Sequence, residues 1–262
     1  MDLLRLCVCI LFVGIPVAGC DKLFPELSKS SADLAVLTDA GTDGSTDLGS
    51  GILTGKVCIL GDLRAPASCL SAAPNRRVTI EETRASADVT ADGTFTISLA
   101  GITTHATFAV TDTVAATNLS MPTVSVYSGA MLDLARAEGA ALPVVPLDSF
   151  SNLQLENGAT VDKTRGSLLT WLIDKKGASV VGATAAHISG SVGPLYDSQG
   201  YGNLTQTTAS GAYGTVGFLD LPLGNVTLAV TTPSSSIVNG DSFTLPVRGG
   251  AVTVAALQLP AK

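Results

Sequence analysis

Ala91-Asp92-Gly93-Thr94-Phe95-Thr96-Ile97-Ser98-Leu99 is the stretch that decides the fold class. Asp92-Gly93 is a hairpin signal, because both turn positions tolerate positive φ. The residues after it alternate polar and apolar, with Phe95, Ile97 and Leu99 on one side. A period of two marks a strand with one buried face. The same alternation recurs in Val78-Thr79-Ile80-Glu81, Thr107-Phe108-Ala109-Val110 and Val226-Thr227-Leu228-Ala229-Val230. Turn residues separate the runs at Ser210-Gly211, Leu223-Gly224-Asn225 and Asn239-Gly240-Asp241. Short strands at this spacing predict an all-β chain built of antiparallel, Ig-like sandwiches.

The runs fall into two units, 51–128 and 164–262, each long enough for a modest core. The intervening 129–163 reads as a linker with short helices. Ala130–Glu138 forms one, stopped by Gly139, and Ser149–Glu156 forms a second, ended by Asn157-Gly158. Leu168-Leu169-Thr170-Trp171-Leu172-Ile173 is an apolar strand in which Trp171 is expected to pack into the core.

Residues 1–20, MDLLRLCVCILFVGIPVAGC, are of another kind. The apolar run Leu6–Val17 is shorter than the roughly 20 residues a membrane span needs, and suits an export signal. Val17-Ala18-Gly19-Cys20 resembles the lipobox of bacterial lipoproteins. That resemblance implies a signal peptide of 1–19, a lipid on Cys20, and a membrane partner reached through that anchor. An ordinary secretory signal cleaved near Gly19 is the alternative reading. Residues 20–50 then form a disordered acidic tether rich in Ser, Thr, Asp and Gly, about 30 Å in reach. Asp39, Asp43 and Asp47 lack the ligand spacing of an EF-hand loop.

The second unit carries a family resemblance. Gly166-Ser-Leu-Leu-Thr-Trp-Leu-Ile-Asp174 is followed by Lys175-Lys176-Gly177 and Val181-Gly182-Ala183-Thr184. Gly211, Gly217-Phe218 and Leu221-Pro222-Leu223-Gly224-Asn225-Val226 come later. This resembles the carboxypeptidase regulatory-like, or transthyretin-like, domain. The first unit matches more loosely, through Gly55-Lys-Val57, Val78 and Asp92-Gly93-Thr-Phe95. The resemblance implies two transthyretin-like sandwiches, the second of seven strands, acting as accessory, spacer or binding modules.

The net charge of −7 excludes a basic nucleic-acid surface. The two histidines, His105 and His187, sit one in each unit with no paired motif, and no metal, cofactor or catalytic residue is expected. Cys58 and Cys69 are expected to form a disulfide, since export delivers them to an oxidising compartment. The stretch 188–208 reads as an insertion. Its Tyr196, Asp197, Gln199, Tyr201 and Asn203 are candidate ligand-binding residues, because Tyr with Gly, Ser and Asn suits adaptable recognition loops. The chain is therefore expected to be a non-enzymatic, lipid-anchored envelope module that binds or spaces another envelope component, a glycan or an envelope protein. A glycan or peptidoglycan ligand on the Tyr196/Tyr201 loop, or an accessory role beside an envelope peptidase or transporter, is the alternative. Oligomeric state is left open, because free strand edges permit dimerisation or strand addition.

Overall fold

The computed structural model describes residues 51–259, apart from 66–68, 115–119, 161, 175, 198–203 and 234–240. Cys20, the leader and the acidic segment lie outside the described residues. The chain is all-β, with two short helices.

An eight-stranded sheet runs through both units. In spatial order it holds β11 (Val192–Tyr196), β12 (Thr215–Leu221), β9 (Gly166–Ile173), β15 (Val252–Gln258), β7 (Thr123–Ser128), β6 (His105–Asp112), β3 (Arg76–Ile80) and β4 (Ser86–Asp88). A second sheet centres on β1 (Ile52–Leu60). β8 (Ala140–Val144) pairs with one edge of it, while β5 (Thr94–Ser98) and β2 (Cys69–Ala72) pair end to end along the other. The third sheet places β13 (Gly224–Thr231) between β10 (Thr184–Ala185) and β14 (Asp241–Val247). The described residues of the 164–262 unit contribute seven strands.

Burial along each strand shows how these layers stack. Successive strand residues face opposite sides of a sheet. Tyr127 and Phe108 meet edge to face at 5.4 Å between centroids, in a core with Val78, Ile80, Leu53, Val57 and Phe95 under the β1 sheet. The neighbouring Val126 packs toward a different core, where Leu168, Leu172, Phe218 and Leu257 meet Leu228, Val230 and Leu245 of the third sheet. The two outer sheets therefore cover opposite faces of the central one, each over its own half.

A third core closes the step. Leu169, Trp171, Val252 and Val254 face away from the third sheet and are capped by Phe150 and Leu153, together with Leu60 and Leu63. Phe150 and Leu153 belong to α2 (Leu147–Glu156). β9 is buried at every residue because both of its faces are covered. β3 alternates buried and more exposed positions, and β4, at the sheet edge, half-buries Ala87 between exposed Ser86 and Asp88.

Three expectations are modified. The Asp92-Gly93 turn forms, with Gly93 at φ 84°, but it joins β4 of the central sheet to β5 of the β1 sheet and is an arch between layers. Its docking explains this: Gly93 O accepts the Val57 N–H at 2.8 Å, which draws β5 toward β1. Nor is every pair antiparallel, since β15 runs parallel to both β7 and β9, and β8 parallel to β1. Finally, the 129–163 segment holds a strand, β8, as well as α1 (Gly129–Glu138) and α2. Gly55 of β1 allows β8 to lie close, because a Cβ there would stand 2.5 Å from Ala140 O.

Candidate functional site

The stagger of the layers leaves a groove. Among the described residues the third sheet ends at β14, and beyond that edge the central sheet turns Leu257, Val126, Ser128 and Thr107 toward an open corner. The resulting corner encloses about 1030 Å³. Half-buried Val126, Met131 and Phe243 give it an apolar floor and wall, together with Leu257. Its rim is charged, and Arg248 on the β14 side reaches across to Glu81 after β3, with guanidinium-to-carboxylate contacts of 2.5 and 3.1 Å. The partly exposed pair adds little stability by itself, but it pins the turn after β3 to the third-sheet side of the corner.

The rest of the rim comes from the turn between β3 and β4. Glu82 Oε2 accepts the Thr107 N–H at 3.0 Å, and its other oxygen lies 3.6 Å from His105 Nε2. Arg84 is held at φ 61°, a backbone region that costs a non-glycine residue energy. Its N–H donates to Ile80 O, and its exposed side chain stands at the groove mouth.

The candidate loop residues lie elsewhere. Tyr196 is 2% exposed, and its hydroxyl accepts the Ala185 N–H at 2.8 Å. Burial pushes its phenol pKa up, and that hydrogen bond opposes the shift in part. Asp197 is 5% exposed and accepts the N–H groups of Gly211, Tyr213 and Thr215 at 2.8, 2.6 and 3.0 Å. The sequence reading singled out both as candidates for ligand binding; the structure turns both inward, with the Tyr196 main chain paired to Thr205 and the Asp197 carboxylate holding 211–215 against β11. Gln199, Tyr201 and Asn203 lie outside the described residues.

Cys58 and Cys69 form the disulfide, with Cα atoms 5.4 Å apart. The loop it closes carries Leu63 into the third core and Arg64 onto the other unit. Arg64 O accepts the Thr215 hydroxyl at 2.5 Å, and the Arg64 guanidinium lies 5.9 Å from the Tyr213 ring centre. His187 is separate from the groove, with Nδ1 2.8 Å from Gly193 O. Among the described residues, no three His, Cys, Asp or Glu side chains converge as metal ligands.

No protein family matches the sequence, and no curated protein matches it. Solved structures show distant likeness. The Bacillus anthracis TIE protein is 12% identical with a TM-score of 0.26; the match covers 80% of this chain and 34% of that one, so the chain spans about a third of its length. The minor pilin GBS52 of Streptococcus agalactiae is 10% identical at a TM-score of 0.29, covering 81% and 97% of the two chains. The shaft pilin SpaA of Lactobacillus rhamnosus GG is 10% identical at 0.25, covering 79% and 98%. Likeness at this level assigns no family.

The groove is thus the described concavity in which an apolar floor, mixed charge and a strand edge meet. Glu81 is engaged with Arg248, and Glu82 with the Thr107 amide and His105.

Proposed function

We propose that the protein is a lipid-anchored, non-enzymatic envelope module whose groove beside β14 takes an extended polypeptide segment of an envelope partner. The structural observation behind this reading is the step in the layer stack, which sets a strand edge that is unpaired among the described residues over a half-apolar sheet face. A bare edge carries a row of main-chain donors and acceptors and is the surface that strand addition uses. The floor beneath it accommodates alternate side chains of an added strand, and the rim charges favour particular sequences over others.

The leader supports the anchor: the apolar run, the small residues and Cys20 suit export and acylation, and a cysteine bearing several acyl chains holds a membrane firmly. Residues 21–50 would then hold the folded body off the membrane.

Two experiments test the reading. Expressed in a bacterial host with labelled palmitate, the protein should carry label and sediment with membranes. Cys20→Ser should remove the label and release it. Retention of label by that variant defeats the anchor. In the envelope, a photo-crosslinker at Thr244 should capture a protein partner, and Val126→Asp should abolish capture. Capture that is insensitive to Val126→Asp would place recognition outside the groove.

A further inference from the structure

A small cavity at the carboxyl end of α2 shares no lining residue with the groove. Its volume is about 10 Å³, room for about one water-sized particle. Gln154 of α2, Asp162 ahead of β9 and Asp220 of β12 all line it. Gln154 is 6% exposed. Its Nε2 donates to Thr160 O at 3.4 Å, which fixes the orientation of the amide, since an amide oxygen would repel that carbonyl. Oε1, at the other side of the amide, is buried and has no hydrogen-bond partner among the described residues. A buried acceptor is normally satisfied, so this one calls for a donor or a cation. We infer that the cavity is a calcium site, in which Gln154 Oε1 and the carboxylates of Asp162 and Asp220 hold one ion.

Thr160 brings the three side chains together. Its N–H donates to Asp220 Oδ2 at 3.2 Å, its carbonyl takes the Gln154 amide, and Asp162 lies two residues further on. Asp162 Oδ1 accepts the amide and hydroxyl of Thr164 at 2.8 and 2.7 Å, which leaves Oδ2 to bind. Asp220 keeps Oδ1 in the same way. Arg165 also lines the cavity, but its Nη1 donates to main-chain carbonyls, Gly190 O at 3.0 Å and Asp220 O at 2.9 Å, and not to either carboxylate. Two carboxylates against one guanidinium leave the wall net negative.

The donor set selects the ion. Every donor is an oxygen, whereas zinc favours nitrogen and sulfur. Calcium accepts carboxylate, amide and water oxygens in a flexible shell, and magnesium demands a stricter octahedron. Thr160 and Asp162 are exposed, so water completes the shell. A site with only two charged ligands belongs with the weak calcium sites of extracellular modules, at about 0.1–1 mM. The bound ion ties α2, from the segment between the units, to β12 and to the turn that leads into β9.

Titration of calcium chloride into the exported, unlipidated chain (Cys20→Ser), first freed of divalent ions by a chelator, tests the inference. The amide NMR signals of Thr160, Thr164 and Asp220 should shift saturably, with a midpoint of about 0.1–1 mM. Sodium chloride at equal ionic strength should leave them in place. Asp162→Asn keeps an oxygen for the Thr164 bonds but removes a charge, and should weaken the midpoint about tenfold. Gln154→Met, apolar and of similar length, should weaken it as well. Absence of any shift at these amides up to about 10 mM calcium, the result that a resident water in the cavity would give, overturns the inference. So does a response that survives both substitutions, because the ion would then sit on other acids, such as Asp39, Asp43 and Asp47.

Discussion

Asp197 shows how one side chain can hold a loop. Its carboxylate accepts three backbone N–H groups, from Gly211, Tyr213 and Thr215. Removing a buried acceptor leaves its donors unpaired, at about 1–3 kcal/mol each. Asp197→Ala should therefore lower unfolding free energy by about 3 kcal/mol or more, read as a reduced urea midpoint at unchanged slope. Asp92 works at the surface. Hydrogen bonds from the Thr90 hydroxyl, then from the Thr94 hydroxyl and amide, hold its carboxyl at about 2. A carboxyl lowered in the folded state stabilises it above the unfolded value of about 4 and loses that contribution as pH falls toward the folded one. The amide signals of Gly93 and Thr94 should thus shift between pH 4 and 2, and Asp92→Asn should abolish the transition. Tyr196 and Asp197 were conspicuous in the sequence as polar residues in a glycine-rich stretch. Composition does not show which way a side chain points, and here distant amides, that of Ala185 for Tyr196 and those of Gly211, Tyr213 and Thr215 for Asp197, hold both inward.

Among the elements, β8 is one that the sequence concealed. Ala-Ala-Leu-Pro-Val has no alternation, and Pro143 argues against a strand. An edge position tolerates a proline, and among the described residues β8 pairs only with β1. The opposite case is β9, whose unbroken apolar run is the signature of a strand covered on both faces. Helices α1 and α2 were legible from periodicity and their Gly and Asn-Gly stops, because those signals are local. The disulfide joins two elements directly. It anchors β2 to β1 and ties down the loop that bears Leu63 and Arg64. Replacing both cysteines by alanine should cost about 3 kcal/mol on the loop-entropy account. The same change should speed amide exchange across 61–65, while the amides of 226–230 keep their protection relative to global unfolding.

For the whole molecule, the decisive feature is the shared sheet. The third core takes residues from both units, and β15 joins β9 to β7. The protein should unfold in one transition. Fluorescence of Trp171, the sole tryptophan, lies in that joint core and should report the same midpoint as far-UV circular dichroism. Two separated midpoints would show that the units melt independently. The groove was not legible from the sequence, because its walls come from β3, α1, β14 and β15, which only tertiary pairing brings together. The position of β15 also bears on synthesis. A ribosome delivers the amino end first, so β7 and β9 emerge with the place between them vacant until Val252–Gln258 follows, and the sheet that joins the two units closes only once its last strand is made.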